Sequence, residues 1–205
     1  MQLLQAVLDR ITAVDERLHS YITLLADRAQ DAARKAGTEI AAGHWRGPLH
    51  GIPYGVKDNY HVRGVRTTGG SRLMLEHVAD ETSTLIERLD AARAILLGKM
   101  NTWEYGTGAG EILEDLPFPL EHFTAGSSTG VGVGVGRRRS DLRSRIGYGW
   151  LHPYSCCSNW RRRYESDLRP PEPRRLSANG RSLDVTGPLT WTVEYSAIVL
   201  KAVAG

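Results

Sequence analysis

Residues 137–181 hold 12 arginines, no lysine and four acids, a net charge of +8 within 45 residues. The same window contains no Val, Phe or Met. Its few apolar residues keep neither the period of 2 of a strand nor the 3.6 of a helix. Stretches such as SCCSNWRRR and RPPEPRR offer no continuous apolar face with which an element could pack. The core must therefore come from the flanks, 1–136 and 182–205, and the window itself reads as loop or disorder.

That segregation changes the meaning of the overall charge. The chain is +3 with a pI near 9.0. Outside the window, 14 basic residues face 19 acidic ones, so the remaining 160 residues carry −5. Trp150, Trp160, Tyr148, Tyr154 and Tyr164 lie among the arginines and could imitate a base-stacking, phosphate-binding arm. Without periodicity to order them, a nucleic-acid partner is not expected. A length of 205 residues suits one ordinary domain or a piece of a larger one. No apolar run reaches the roughly 18 residues of a membrane span. The N-terminus lacks the charged and apolar regions of a signal peptide. The two cysteines, Cys156 and Cys157, are adjacent and cannot build a disulfide framework, so a reducing, cytoplasmic setting is expected.

The flanks have readable periods. Leu4, Val7, Leu8, Ile11, Val14 and Leu18 recur at helical spacing, predicting an amphipathic helix over 2–18. Residues 22–42 are Ala-rich and predict a second helix. GIPYGVKDN reads as a short buried strand running into a loop, TTGGS at 67–71 as a loop, and 82–93 as a helix with a possible Thr cap. AILLGKM predicts an apolar strand ending at Gly98. Residues 122–136 read as a Gly/Ser loop followed by a Gly-Val alternation. A last helix opens near Thr192. Helices alternating with short apolar strands indicate α/β, and no internal repeat is visible.

Few residues offer chemistry. Lys57 is one of four lysines and sits between apolar residues and a Gly/Pro-rich turn. Most lysines are solvated surface groups, but a desolvated one has a lowered pKa and serves as a base near neutrality. Ser127 and Ser128, in AGSSTG, belong either to a flexible loop or to a backbone cradle whose hydroxyls meet a substrate. The loop lacks the lysine of a phosphate loop, and Val135 breaks the dinucleotide fingerprint. His44, His50 and His61 show no metal-ligand spacing, so no metal is expected. Asp58 and Glu104 are a conceivable carboxylate pair, with structural roles the plainer reading.

Taken together, LHGIPYGVKDN, TTGGS, LLGKMNTWEYGTG, AGSSTG and SLDVTGPLTWTVE resemble the amidase signature family, in order and spacing, over roughly 1–136 and 182–205. The resemblance implies a mixed central sheet flanked by helices (an α/β/α fold), here incomplete, and hydrolysis or transfer of amide nitrogen through a Ser–cis-Ser–Lys triad. Lys57 matches the family's catalytic lysine and Ser127 its bridging serine, which follows a cis peptide. Gly126, Ser128 and Thr129 would line the substrate site. The partner implied is a small-molecule amide, with no metal or organic cofactor, and a free-standing amidase is preferred to the amide-transferring subunit of a tRNA-dependent amidotransferase. Oligomeric state is not legible. The domain expected is a partial amidase domain over 1–205, with 137–181 an atypical segment inside it, because family members run on for roughly as many residues again.

The sequence also departs from the family. Its nucleophile is the serine of an SDTGGSIR-like motif, and at family spacing that position holds Leu151. A leucine cannot be acylated. Tyr195 stands where Asp is common and Arg93 where a small Gly is common, and LPFPLEHFTAG is short of residues. Reading degenerate codons for Ile146 to Cys157 one base later permits SDTGGSIRIPA, with serine at 151. The same shift from 167 onward permits TYGRLSRAGCLP, which resembles the family's next motif. The expectation is a pair of compensating frameshifts near Gly136 and near Arg181. The rival expectation is a non-catalytic amidase-like protein binding acidic partners or nucleic acid through its arginines. Sequencing the coding DNA decides between them: the codons for Leu151 and His152 must yield a serine codon one base later. Codons that cannot do so refute the frameshift.

Overall fold

The helix expected at the N-terminus forms at Gln2–Leu18 (α1) and buries Leu4 and Leu8. In this computed structural model the described residues are 1–106, 127–136, 148–151 and 186–204. α1 ends at His19 in the left-handed conformation, and Asp15 turns back to accept from the Ser20 N–H at 2.8 Å. The chain then departs from the expected second helix. Tyr21–Leu24 is a strand (β1), and the helix is Ala26–Ala41 (α2). YITL is β-branched and aromatic, and the Ala-rich stretch that masked it begins only afterwards. Ala29, Ala33 and Ala36 on α2 are buried, so alanine there permits close approach to the sheet.

The central pair is β2 (Pro53–Lys57) and β3 (Ile95–Met100), parallel, every residue buried. β2 meets the expectation, whereas β3 runs past Gly98 instead of ending there. Gly98 lies beside a bulge in this pair. A Cβ there would fall 2.3 Å from the Thr23 carbonyl oxygen of β1, so the glycine allows two strands to approach rather than ending one. Between β2 and β3 runs Thr84–Ala91 (α3), capped at Ser83 without a side-chain hydrogen bond. Thr82, the expected cap, instead accepts from the Arg63 N–H.

After β3 the described chain resumes with a short helix, Thr129–Gly136 (α4). Tyr148–Leu151 (β4) pairs parallel to β2, and Gly187–Leu189 (β5) pairs antiparallel to β4. Val193–Ala204 (α5) completes the described chain. β4 corrects the reading of 137–181 as wholly loop, because four of its residues belong to the sheet. The order is β1-β3-β2-β4-β5, a mixed sheet as expected. Tyr54, Val56 and Leu96 pack on one face with Ile86, Leu89 and Val199. Ile95 and Leu97 pack with Leu4, Leu8, Ala29 and Ala33 on the other.

Arg93, where the family commonly has glycine, has φ 60 just past α3. A side chain in that region is disfavoured, but this one ion-pairs with Glu39 at 2.9 Å. Burial alone would raise the Glu39 pKa, and the Arg93 and Arg46 hydrogen bonds outweigh it and hold the carboxyl below its usual range.

Gly98→Ala is expected to destabilise by about 1–3 kcal/mol or more, because backbone rather than a movable side chain blocks the methyl. Urea unfolding measures it, and an unchanged midpoint contradicts this account of the β1–β3 approach.

Candidate active site

Lys57 is the last residue of β2, buried to 1% exposure. Ser127 lies 70 residues on, two residues before α4 begins, at 3% exposure. The Lys57 Nζ donates to Ser127 Oγ at 2.8 Å. The two sequence candidates thus meet inside the protein, and Lys57 is not a surface lysine.

Each is held through the C-terminal end of β3. The Met100 carbonyl accepts from the Asp58 N–H at 2.9 Å, fixing the residue after Lys57. The Ser127 carbonyl accepts from the Trp103 N–H at 3.0 Å and the Thr102 hydroxyl at 2.9 Å. The Gly130 N–H donates to the Asn101 carbonyl at 3.1 Å. α4 comes this close because it carries glycines. A Cβ at Gly130 would lie 2.3 Å from the Ser20 carbonyl oxygen, and one at Gly134 2.6 Å from Met100 Cε. The Gly-Val alternation is therefore helical, with glycines four apart facing the sheet.

Alternation along β2 turns Lys57 to the face opposite Val56. The parallel register pairs Val56 with Lys99 and Lys57 with Met100. On the Val56 side lies a feature the sequence reading missed. Lys99 and Asp58 have fully buried side chains and form an ion pair at 2.7 Å. Lys99 also donates to the Thr67 hydroxyl at 2.9 Å. Asp58 Oδ2 accepts from the Thr68 N–H at 2.8 Å and its hydroxyl at 2.6 Å. Burial pulls Lys99 below the ordinary lysine range, while the Asp58 carboxylate pushes back and favours the charged form. The sequence signal was available: a lysine inside the apolar run AILLGKM needs a buried partner.

The other candidates separate. Ser128 is fully buried, and its carbonyl accepts from the Gly132 N–H. Thr129 is 2% exposed, and its buried hydroxyl has no hydrogen-bond partner among the described residues. Gly126, and with it the peptide bond preceding Ser127, lies outside the described residues, as do Cys156 and Cys157. Asp58 and Glu104 serve different partners, the latter accepting from the Ser71 hydroxyl at 2.7 Å. Among the described residues no group of three His, Cys, Asp or Glu could hold a metal ion. None of the described helices is long and apolar enough to cross a membrane.

Leu151 is the last residue of β4. Tyr54 pairs with Tyr148 and Gly55 with Gly149 in the parallel register. Two residues further along both strands, that register brings position 151 level with Lys57.

Comparison with known proteins accords with this arrangement. Residues 2–143 match a family model described as Amidase. The chain is 36% identical over 211 residues to a glutamyl-tRNA(Gln) amidotransferase subunit of Moorella thermoacetica, covering 98% of this chain and 42% of that protein. It is likewise 36% identical to the corresponding protein of Thermosynechococcus vestitus, covering 100% and 43%. The chain therefore spans well under half the length of these relatives. Among solved structures, the peptide amidase of Stenotrophomonas maltophilia superposes with a TM-score of 0.82 at 28% identity, over 100% of this chain and 44% of that one. A bacterial aryl acylamidase of the amidase signature enzymes shares the fold, with a TM-score of 0.74 at 21% identity over 98% of this chain and 44% of that one.

Asp58→Asn leaves the Lys99 ammonium buried opposite a neutral group. A loss of about 3–5 kcal/mol is expected. Chemical denaturation measures it, and a loss below about 1 kcal/mol would show that the pair is not held as described.

Proposed function

Because the chain belongs to the amidase family, we propose that it derives from an enzyme hydrolysing a carbon–nitrogen amide bond, with Lys57 and Ser127 as two members of its Ser–cis-Ser–Lys triad. The observation that carries this reading is the 2.8 Å hydrogen bond between their buried side chains. In the reaction, neutral Lys57 takes a proton through Ser127 from the nucleophile. The nucleophile attacks the amide carbonyl, and backbone N–H groups of its glycine turn hold the oxyanion. The relay then protonates the leaving amine, and water releases the acyl group. Gly126, Ser128 and Thr129 are the proposed substrate-lining residues, and the buried Thr129 hydroxyl, without a partner among the described residues, supports a role in meeting a polar group there.

The nucleophile belongs at position 151. Its place level with Lys57 in the β2–β4 register supports that assignment beside the family spacing. With leucine there, the chain as it stands has no group to acylate, and it is proposed to be inactive. A one-base shift over 137–181 accounts for the loss. The family match ends at residue 143, inside that window, whereas the alignment to the Thermosynechococcus relative runs through it. The domain is then a partial amidase domain with an out-of-frame segment. The rival reading, binding of nucleic acid or acidic partners through the arginines, draws support from nothing beyond their number.

For the substrate, two sources lie open within one chemistry. A free-standing amidase is supported by the superposition on a peptide amidase. A second reading, membership of a tRNA-dependent amidotransferase, is favoured by the 36% identity to the Moorella amidotransferase protein over nearly the whole chain. Glutamine as the amide donor would mark the second reading, and simple aliphatic or aryl amides the first.

The purified chain is expected to release no ammonia or amine from any of these amides. Expression from coding DNA with the frame restored and continued downstream is expected to give turnover, and Lys57→Ala in that protein to lower kcat by roughly 10²–10⁴. Turnover by the present chain that is abolished by Lys57→Ala overturns the assignment of position 151.

A further inference from the structure

We propose that Lys99 is a positioning residue for Lys57: the buried Lys99–Asp58–Thr68 network fixes the end of β2 and neutralises the carboxylate of the next residue, on the face of the strand opposite the Lys57 side chain. The inference deepens the reading of Lys57 as a base and rests on it for its functional meaning, but not for its physics.

The geometry runs through one turn of chain. Asp58 follows Lys57 directly, so its backbone fixes where the Lys57 side chain leaves the sheet. That backbone is held on both sides, with its N–H donating to the Met100 carbonyl at 2.9 Å and its carbonyl accepting from the Gly69 N–H at 3.3 Å. The side chain is held as firmly, by Lys99 on one oxygen and Thr68 on the other. The same Lys99 bonds Thr67, so the loop after β2 closes onto β3. That loop reaches the far side of the site, because the Gly69 carbonyl accepts from the Tyr105 N–H at 2.7 Å and Ser71 bonds Glu104.

Charge gives the network a second effect. A bare carboxylate one residue from Lys57 would stabilise its ammonium and weaken it as a base. Lys99 places a compensating positive charge on that carboxylate, 2.7 Å away. Among the described residues, other titratable groups on elements around the site include Tyr21 on β1, whose hydroxyl burial and Asp15 push further up, and the exposed Glu104. Neither replaces Lys99, because Tyr21 stays neutral and Glu104 carries the wrong sign.

The test is a titration of Lys57 in the folded 205-residue chain. Only four lysines are present, so isotope-labelled lysine gives four resolvable Cε/Nζ signals by NMR, with Lys57→Met assigning the one of interest. Lys99→Met is expected to raise the Lys57 titration midpoint by about one pH unit. Asp58→Asn combined with Lys99→Met removes both charges and is expected to bring the midpoint back to within about 0.3 of the original. Thr68→Val keeps the ion pair but strips one hydrogen bond from the carboxylate, so a smaller rise is expected in a variant that folds. Lower thermal stability with an unmoved midpoint means that Lys99 is structural only and overturns the proposal. Should Lys99→Met fail to fold, an unmoved or lowered midpoint in Thr68→Val overturns it alone. These results stand apart from the triad reading, which fails separately if the frame-restored protein does not turn over an amide.

Discussion

The ion pair between Lys99 and Asp58 lies wholly out of water, and the site depends on it. Two charges taken wholly out of water incur a desolvation penalty of several kcal/mol each, which their attraction offsets only when the remaining hydrogen bonds are made. Here they are made, by Thr67, the Thr68 hydroxyl and the Thr68 backbone. The requirement for full satisfaction draws the loop after β2 against β3. The C-terminal end of β3 then carries two loads. Lys99 and Met100 hold Asp58, while Asn101, Thr102 and Trp103 hold Gly130 and Ser127. Lys57 and Ser127 meet because both sides of the site are fastened to the same short stretch of chain, 99–103.

Glycine makes the second half of that fastening possible. α4 is half glycine, a composition that costs roughly 1 kcal/mol per residue in helix propensity relative to alanine. The backbone of Ser20 and Asn101 leaves no room for a Cβ at Gly130, and one at Gly134 would have to displace the tip of Met100. The helix is therefore stabilised by contact rather than by its own preference, and its N-terminal end places Ser127 at the depth of Lys57. A more stable isolated helix of larger residues would hold that serine further away.

Much of this was legible in sequence where period and burial act together. α1, β2, α3 and α5 follow their apolar spacing. β1 was lost because four strand residues adjoin an Ala-rich helix, and local propensity does not reveal that β3 offers them an edge. β3 was cut short because glycine inside a strand reads as a stop, whereas here it admits a neighbouring backbone. β4 was invisible because pairing with β2 and β5, not its own composition, makes it a strand. In the site, Lys57 and Ser127 were found by their settings and by resemblance. Lys99 was passed over although it occupies an equally apolar run, because its partner Asp58 is 41 residues distant.

The place of β4 in the sheet bears on how the arginine-rich window is regarded. Among the described residues β5 joins the sheet through β4 alone, in the order β2-β4-β5. A segment whose composition resembles an insertion is thus the splice between the first 136 residues and the last 20 or so. An insertion can be excised and its ends rejoined, whereas a splice cannot. A deletion that removed Tyr148–Leu151 would leave β5 with no strand to pair with, and α5 would keep only its packing, through Val199, on α3 and on the β2–β3 face of the sheet.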